Sequence, residues 1–151
     1  MPTPFESAQL NLKLYELRRD PLLREARGWF QRTFNPESFA ELAAVAGGER
    51  NTWFRMVLGY WDMAASLVTS GAIDGDAFRA AHSEIFMTFS KVSPYIEELR
   101  ARTNEPMFCR HIEAVVTQVP NYETILATRR GAEMAAAKRR REAEAMSKAE
   151  I

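Results

Sequence analysis

The sequence predicts an all-α fold: an irregular bundle of about six to eight helices around a central apolar helix (51–70), with an exposed C-terminal helix. Three observations carry this. The stretch NTWFRMVLGYWDMAASLVTSG, Asn51 to Gly71, holds two charges between Trp53 and Val68, namely Arg55 and Asp62. A helix that is apolar on most sides has to be surrounded by other helices. Helix-start signals recur along the chain, mostly as a capping residue followed by proline. No segment alternates apolar and polar residues for long, and no hairpin signal lies between alternating runs.

The elements follow in order. Thr3-Pro4-Phe5-Glu6 is a capping box, and it opens a first helix over about 4–19 with Leu10, Leu14 and Leu17 on one face. Asp20-Pro21 starts a second, about 21–34, carrying Leu22, Ala26, Trp29 and Phe30. Asn35-Pro36 starts a short third, about 36–46, which Gly47-Gly48 stops. The central helix ends at Gly71. Asp74 caps a fifth over about 75–91, with Phe78, Ala81, Ile85 and Phe89. Pro94 starts a sixth, about 94–102, or kinks the fifth. A seventh covers about 106–118, with Phe108, Ile112, Val115 and Val116, and the last starts near Asn121.

Composition changes near Thr128. Residues 128–151 hold seven Lys or Arg against four acids, and large apolar residues nearly vanish. The chain therefore divides into a helical domain, 1–127, and a charged, Ala-rich C-terminal helix or tail, 128–151. Over the full 151 residues the formal net charge is zero, which gives no global pull toward nucleic acid or membrane. The single cysteine, Cys109, excludes an intrachain disulfide and fits a reducing compartment. The N-terminus lacks the charged and apolar regions of a signal peptide, and the longest apolar run is too short to span a bilayer. The expected location is cytoplasmic.

Signatures of chemistry are missing. There is no phosphate-binding glycine loop, no nucleophile elbow and no zinc or di-iron ligand spacing, so no cofactor is expected. Cys109, His111 and Glu113 lie two apart, a spacing that diverges on a helix. On the central helix Arg55, Gly59, Asp62, Ser66 and Thr69 share one stripe. Arg55 and Asp62, with Arg24 and Arg27 of the second helix, form a candidate buried polar network. Arg24, Glu25 and Arg27 meet Asp62 or Glu84 in the fold, or face water. Trp53, Gly59, Tyr60 and Ser66 form a candidate interface, where small residues admit a close neighbour and aromatics anchor it. Lys138, Arg139, Arg140 and Arg141 are candidate anion contacts, although successive helix residues point to different sides.

Two stretches, Leu10 to Phe30 (LNLKLYELRRDPLLREARGWF) and Val57 to Phe78 (VLGYWDMAASLVTSGAIDGDAF), together resemble a bacterial family of small all-helical proteins classed only as a domain of unknown function. The resemblance implies no activity. In its pattern Arg24, Glu25, Arg27 and Asp62 are the charged positions, and the basic tail lies outside it. The expected function is a non-enzymatic helical interaction module that self-associates or docks onto a larger assembly. Two alternatives stand beside it: a nucleic-acid or anionic-surface binder using the tail, and a small-molecule binder or enzyme with a pocket near Arg55 and Asp62.

Overall fold

The computed structural model describes residues 1–151. It contains nine α-helices, one 3-10 turn and no strand. Helix α1 spans Pro4–Leu17, α2 Pro21–Arg32, α3 Phe39–Ala46 and α4 Asn51–Thr69. Then come α5 Gly75–Ala81, α6 Glu84–Val92, the 3-10 turn Ser93–Tyr95, α7 Ile96–Thr103, α8 Arg110–Thr117 and α9 Tyr122–Ala149. No helix is long and apolar enough to cross a membrane.

Several starts are made by the residues that signal them. The Glu6 amide donates to Thr3 Oγ1 while the Thr3 amide donates to the Glu6 carboxylate, the reciprocal pair of a capping box. Asp20 accepts from the Leu23 amide at 3.0 Å and Asp74 from the Ala77 amide at 2.9 Å. Gly71 takes φ +82° just after α4, a conformation that suits glycine.

Three elements differ from the sequence reading. Helix α3 begins at Phe39 because Ser38 caps it through the Glu41 amide; Asn35-Pro36 belongs to the preceding loop. The expected fifth helix is two, α5 and α6, broken at His82, whose ψ of 58° leaves the helical range. Before α8, Asn104 and Cys109 both have positive φ, so Phe108 lies in a loop. Arg100 fixes that loop by donating from Nε to the Phe108 carbonyl at 2.8 Å.

Helix α4 is the column at the centre. It buries Phe54, Val57, Leu58, Tyr60, Trp61, Ala64 and Ala65, and it packs on α2, α3 and α8. The ring of Trp61 is fully buried. A chain of aromatic contacts, Trp53–Trp29–Phe34–Phe54–Phe108, ties α4 to α2 and to the loop before α8. Helix α6 is buried along its whole length from Ile85 to Val92, between α8 and α9.

Helix α9 passes through 127/128 without interruption, so that boundary falls inside a helix. Its inner face is Leu126, Arg130, Glu133, Ala137 and Arg140, stepping by four and three residues. Arg130 donates to Tyr95 Oη at 2.8 Å, Glu133 stands 3.5 Å from Lys91, and Arg140 donates to the Arg32 carbonyl at 2.9 Å. Beyond Arg140 every residue is exposed.

Candidate functional site

The residues expected to form one buried network lie in three places. Arg55 is exposed and pairs with Glu105 at 3.4 Å. Asp62 turns the other way: its Oδ1 accepts from the backbone amides of His111 and Ile112, both at 3.0 Å. Those amides belong to the first turn of α8, whose own N-cap residue, Cys109, contributes no side-chain cap. Asp62 therefore caps α8 from across the bundle, where a carboxylate also meets the positive end of the helix dipole. The cavity beside Arg55 holds about 60 Å³, well below the few hundred Å³ of a small-molecule site.

The expected interface residues also separate. Tyr60 is buried and donates from Oη to the Leu14 carbonyl at 2.5 Å, and burial pushes its hydroxyl pKa up to about 12. Trp53 packs among Trp29 and the Arg50 guanidinium. Ser66 donates to the Met63 carbonyl one turn back. Gly59 is exposed and faces open space, so no helix of this chain approaches it. Cys109, His111 and Glu113 do not converge. Cys109 is buried with its thiol pKa pushed up by that burial, Glu113 pairs with Arg100 and Arg110, and His111 Nδ1 lies 2.8 Å from Thr69 Oγ1.

Charge gathers at the corner between α1 and α2. Arg27 grips Glu84 with two nitrogens, Nε at 3.2 Å and Nη2 at 2.7 Å, the planar fork that matches a carboxylate. Arg18 adds a third bond to Glu84 at 3.2 Å, and the Gln31 amide adds a fourth. Their side chains are only 14–18% exposed. Glu84 is therefore saturated and locks Arg18 and Arg27 in place. Arg19 and Arg24 are exposed and form no ion pair. Tyr15, Arg18, Arg19, Arg24 and Arg27 line one cleft of about 470 Å³, with no acidic residue among them. Arg27 thus meets Glu84 as the sequence allowed, while Arg24 faces water beside it.

Sequence reasoning passed over two polar residues here. Lys91 is 2% exposed and donates to the carbonyls of Phe30 and Gln31 at 2.8 and 2.7 Å, the last turn of α2. Burial lowers its pKa to about 8, against the pull of Glu133. His82 is 1% exposed, with Nε2 3.1 Å from Asn11 Oδ1, and burial with the nearby Arg18 charge lowers its pKa to about 4. A helix-period count treats both as ordinary positions. The signal was Lys91 as the one charge in the stretch from Ile85 to Val92.

The outer face of α1 has no partner. Phe5, Ala8, Leu12 and Tyr15 step by three, four and three residues along one line, and all are exposed. Phe5 is 69% exposed, Leu12 70% and Tyr15 55%. The core side of the same helix is carried by Ser7 and Leu14, with Leu10 packed against the core. Tyr15 belongs to both surfaces, ending the apolar stripe and forming one wall of the arginine cleft.

A family model described as a domain of unknown function, DUF4760, matches residues 4–119. The chain belongs to this family. The DUF4760 match takes in α1 to α8, and so the α1 stripe, the arginine cleft and the Asp62 cap; α9 follows it. Neither the curated proteins nor the solved structures contain a match to the chain.

Proposed function

We propose that this DUF4760 protein is a helical interaction module that takes an acidic, amphipathic segment of a partner protein along α1. The carrying observation is the continuity of an exposed apolar stripe, Phe5–Ala8–Leu12–Tyr15, with a cleft of four arginines and no lining acid. Helix-in-groove recognition uses apolar anchors at this spacing, and the fixed guanidiniums of Arg18 and Arg27 offer carboxylates a rigid cationic floor.

Charge selects the occupant. A second copy packing α1 antiparallel would set Arg18 and Arg19 against the start of α1, the positive end of that helix's dipole, where Glu6 is held by Thr3. A parallel copy would set arginines against arginines. A segment carrying carboxylates next to its apolar face meets neither penalty. The reading through the tail has less support, because its cations diverge. Arg140 turns inward to Arg32, Arg141 lies 3.9 Å from Glu37, and Lys138 lies 3.9 Å from Glu142.

The test is fluorescence anisotropy with two labelled helical peptides of equal length, one with Leu anchors and Glu elsewhere, one with Leu and Lys. The Glu peptide should bind the full-length protein, weaken at least tenfold in Leu12→Glu, and become less salt-sensitive in Arg19→Gln with Arg24→Gln. Equal binding of the Lys peptide would overturn the proposal. Light scattering on the protein alone separates the second-copy outcome, which would show as a dimer lost in Leu12→Glu.

A further inference from the structure

A second cleft lies on the far side of Glu84, between the end of α2, the start of α6 and the outer half of α9. It holds about 500 Å³, and its charged lining is Arg18, Arg32, Glu84, Arg129, Glu133 and Arg140. The volume lies within the range of small-molecule sites, roughly 300–1,000 Å³.

The cleft's charges do not balance. Both of its carboxylates are already committed. Glu84 is occupied by Arg18, Arg27 and Gln31, and Glu133 pairs with Lys91 behind the wall. Three guanidiniums remain without a carboxylate. Arg32 reaches only the Gly28 carbonyl, at 3.4 Å, and Arg140 reaches the Arg32 carbonyl. Arg129 makes neither a hydrogen bond nor an ion pair, and the Nε of Arg18 is buried without an acceptor. The fold thus gathers cations from three separate helices, α2, α9 and the end of α1, around one opening. Like charges so placed repel unless an anion sits among them. Guanidiniums approaching from several directions suit an anion with several oxygens on more than one centre.

We propose that this cleft binds a diphosphate group, either as free pyrophosphate or as the diphosphate of a nucleotide. The ligand bridges Arg129 and Arg140 of α9 to Arg32 of α2, and so fastens the C-terminal helix to the body. The proposal does not depend on the α1 docking surface: the two clefts share Arg18, but Arg19 and Arg24 lie outside this one.

The test uses full-length protein, titrated calorimetrically and by thermal melts with inorganic pyrophosphate, with ADP, and with KCl at matched ionic strength. Pyrophosphate at saturation should raise Tm by about 3 °C or more over KCl, as a ligand bound only by the folded state does. Arg129→Gln is the clean variant, since that side chain makes no hydrogen bond or ion pair, and it should weaken binding at least fivefold; Arg19→Gln should leave binding unchanged. ADP binding tighter than pyrophosphate assigns the group to a nucleotide, and equal or weaker binding assigns it to free diphosphate. The proposal is overturned by a Tm no higher than in KCl, by Arg129→Gln binding like wild type, or by an equal loss in Arg19→Gln, which would put the anion in the α1–α2 cleft.

Discussion

Replacing Asp62 with Ala should loosen α8 specifically. The carboxylate accepts two backbone amides, His111 and Ile112, each at 3.0 Å, and α8 has no other side-chain cap. A hydrogen bond to a charged group contributes about 1.5–3 kcal/mol, and loss of an N-cap costs about 0.5–2 kcal/mol. These overlap, because the bonds are the cap, and Asp62 is half-buried, so water partly replaces it. About 2 kcal/mol is the resulting figure. At about 2–4 °C per kcal/mol for a chain of this length, Tm should fall by about 4–8 °C. Asp62→Asn keeps an acceptor oxygen but loses the charge and should cost roughly half as much. Calorimetry gives the Tm, and amide exchange gives the location: His111 and Ile112 should lose protection while the amides of α4 keep theirs. The reasoning fails if those two amides exchange as in wild type, or if Arg55→Ala lowers Tm as far as Asp62→Ala does. Arg55 is exposed and paired only with Glu105, so its removal should change stability by less than about 0.5 kcal/mol.

Three further outcomes are expected. His82 is held neutral, with its folded pKa near 4 against an ordinary 6.5, so the unfolded chain binds its proton more readily. Its contribution is therefore complete above pH 6.5 and is lost as pH falls through 4, by about 3 kcal/mol; urea melts across that window should show a slope that His82→Gln flattens. Glu84→Gln strips Arg18 and Arg27 of their counter-charge and should cost about 2–3 kcal/mol, and in an Arg27→Gln background the same change should cost much less. Deleting residues 142–151 should leave Tm within about 2 °C. Deleting 128–151 removes the contacts of Arg130, Glu133 and Arg140 and should lower it several-fold more, whereas equal melts for the two truncations would mean that α9 is not docked in solution.

Much of the fold was legible because local signals and burial agree. Thr3 with Glu6, Asp20 and Asp74 cap the helices they announce, and the uncharged stretch from Trp53 to Val68 lies in the centre. The site was less legible, for a physical reason: polar residues were read by their spacing within one helix, whereas their partners come from other helices. Asp62 and Arg55 share a stripe, yet the bundle brings α8 against one and Glu105 against the other. Arg18 was passed over because its role depends on Glu84, 66 residues later. The outer stripe of α1 is present in the sequence as Phe5, Leu12 and Tyr15, but Leu10, Leu14 and Leu17 make a second apolar line on the opposite side, and spacing alone does not say which of the two is buried. Helix α9 reads as exposed when apolar residues alone are counted. Arginine and glutamate form most of its inner face.

That composition has a consequence for register. An apolar face tolerates sliding, because one methyl group replaces another at little cost. The bonds of α9 are directional and particular: Arg130 to the Tyr95 hydroxyl, Glu133 to Lys91, Arg140 to the Arg32 carbonyl. Slipping the helix by one turn breaks all three together and leaves Lys91 buried without its carboxylate. What the polar face supplies is thus uniqueness of alignment.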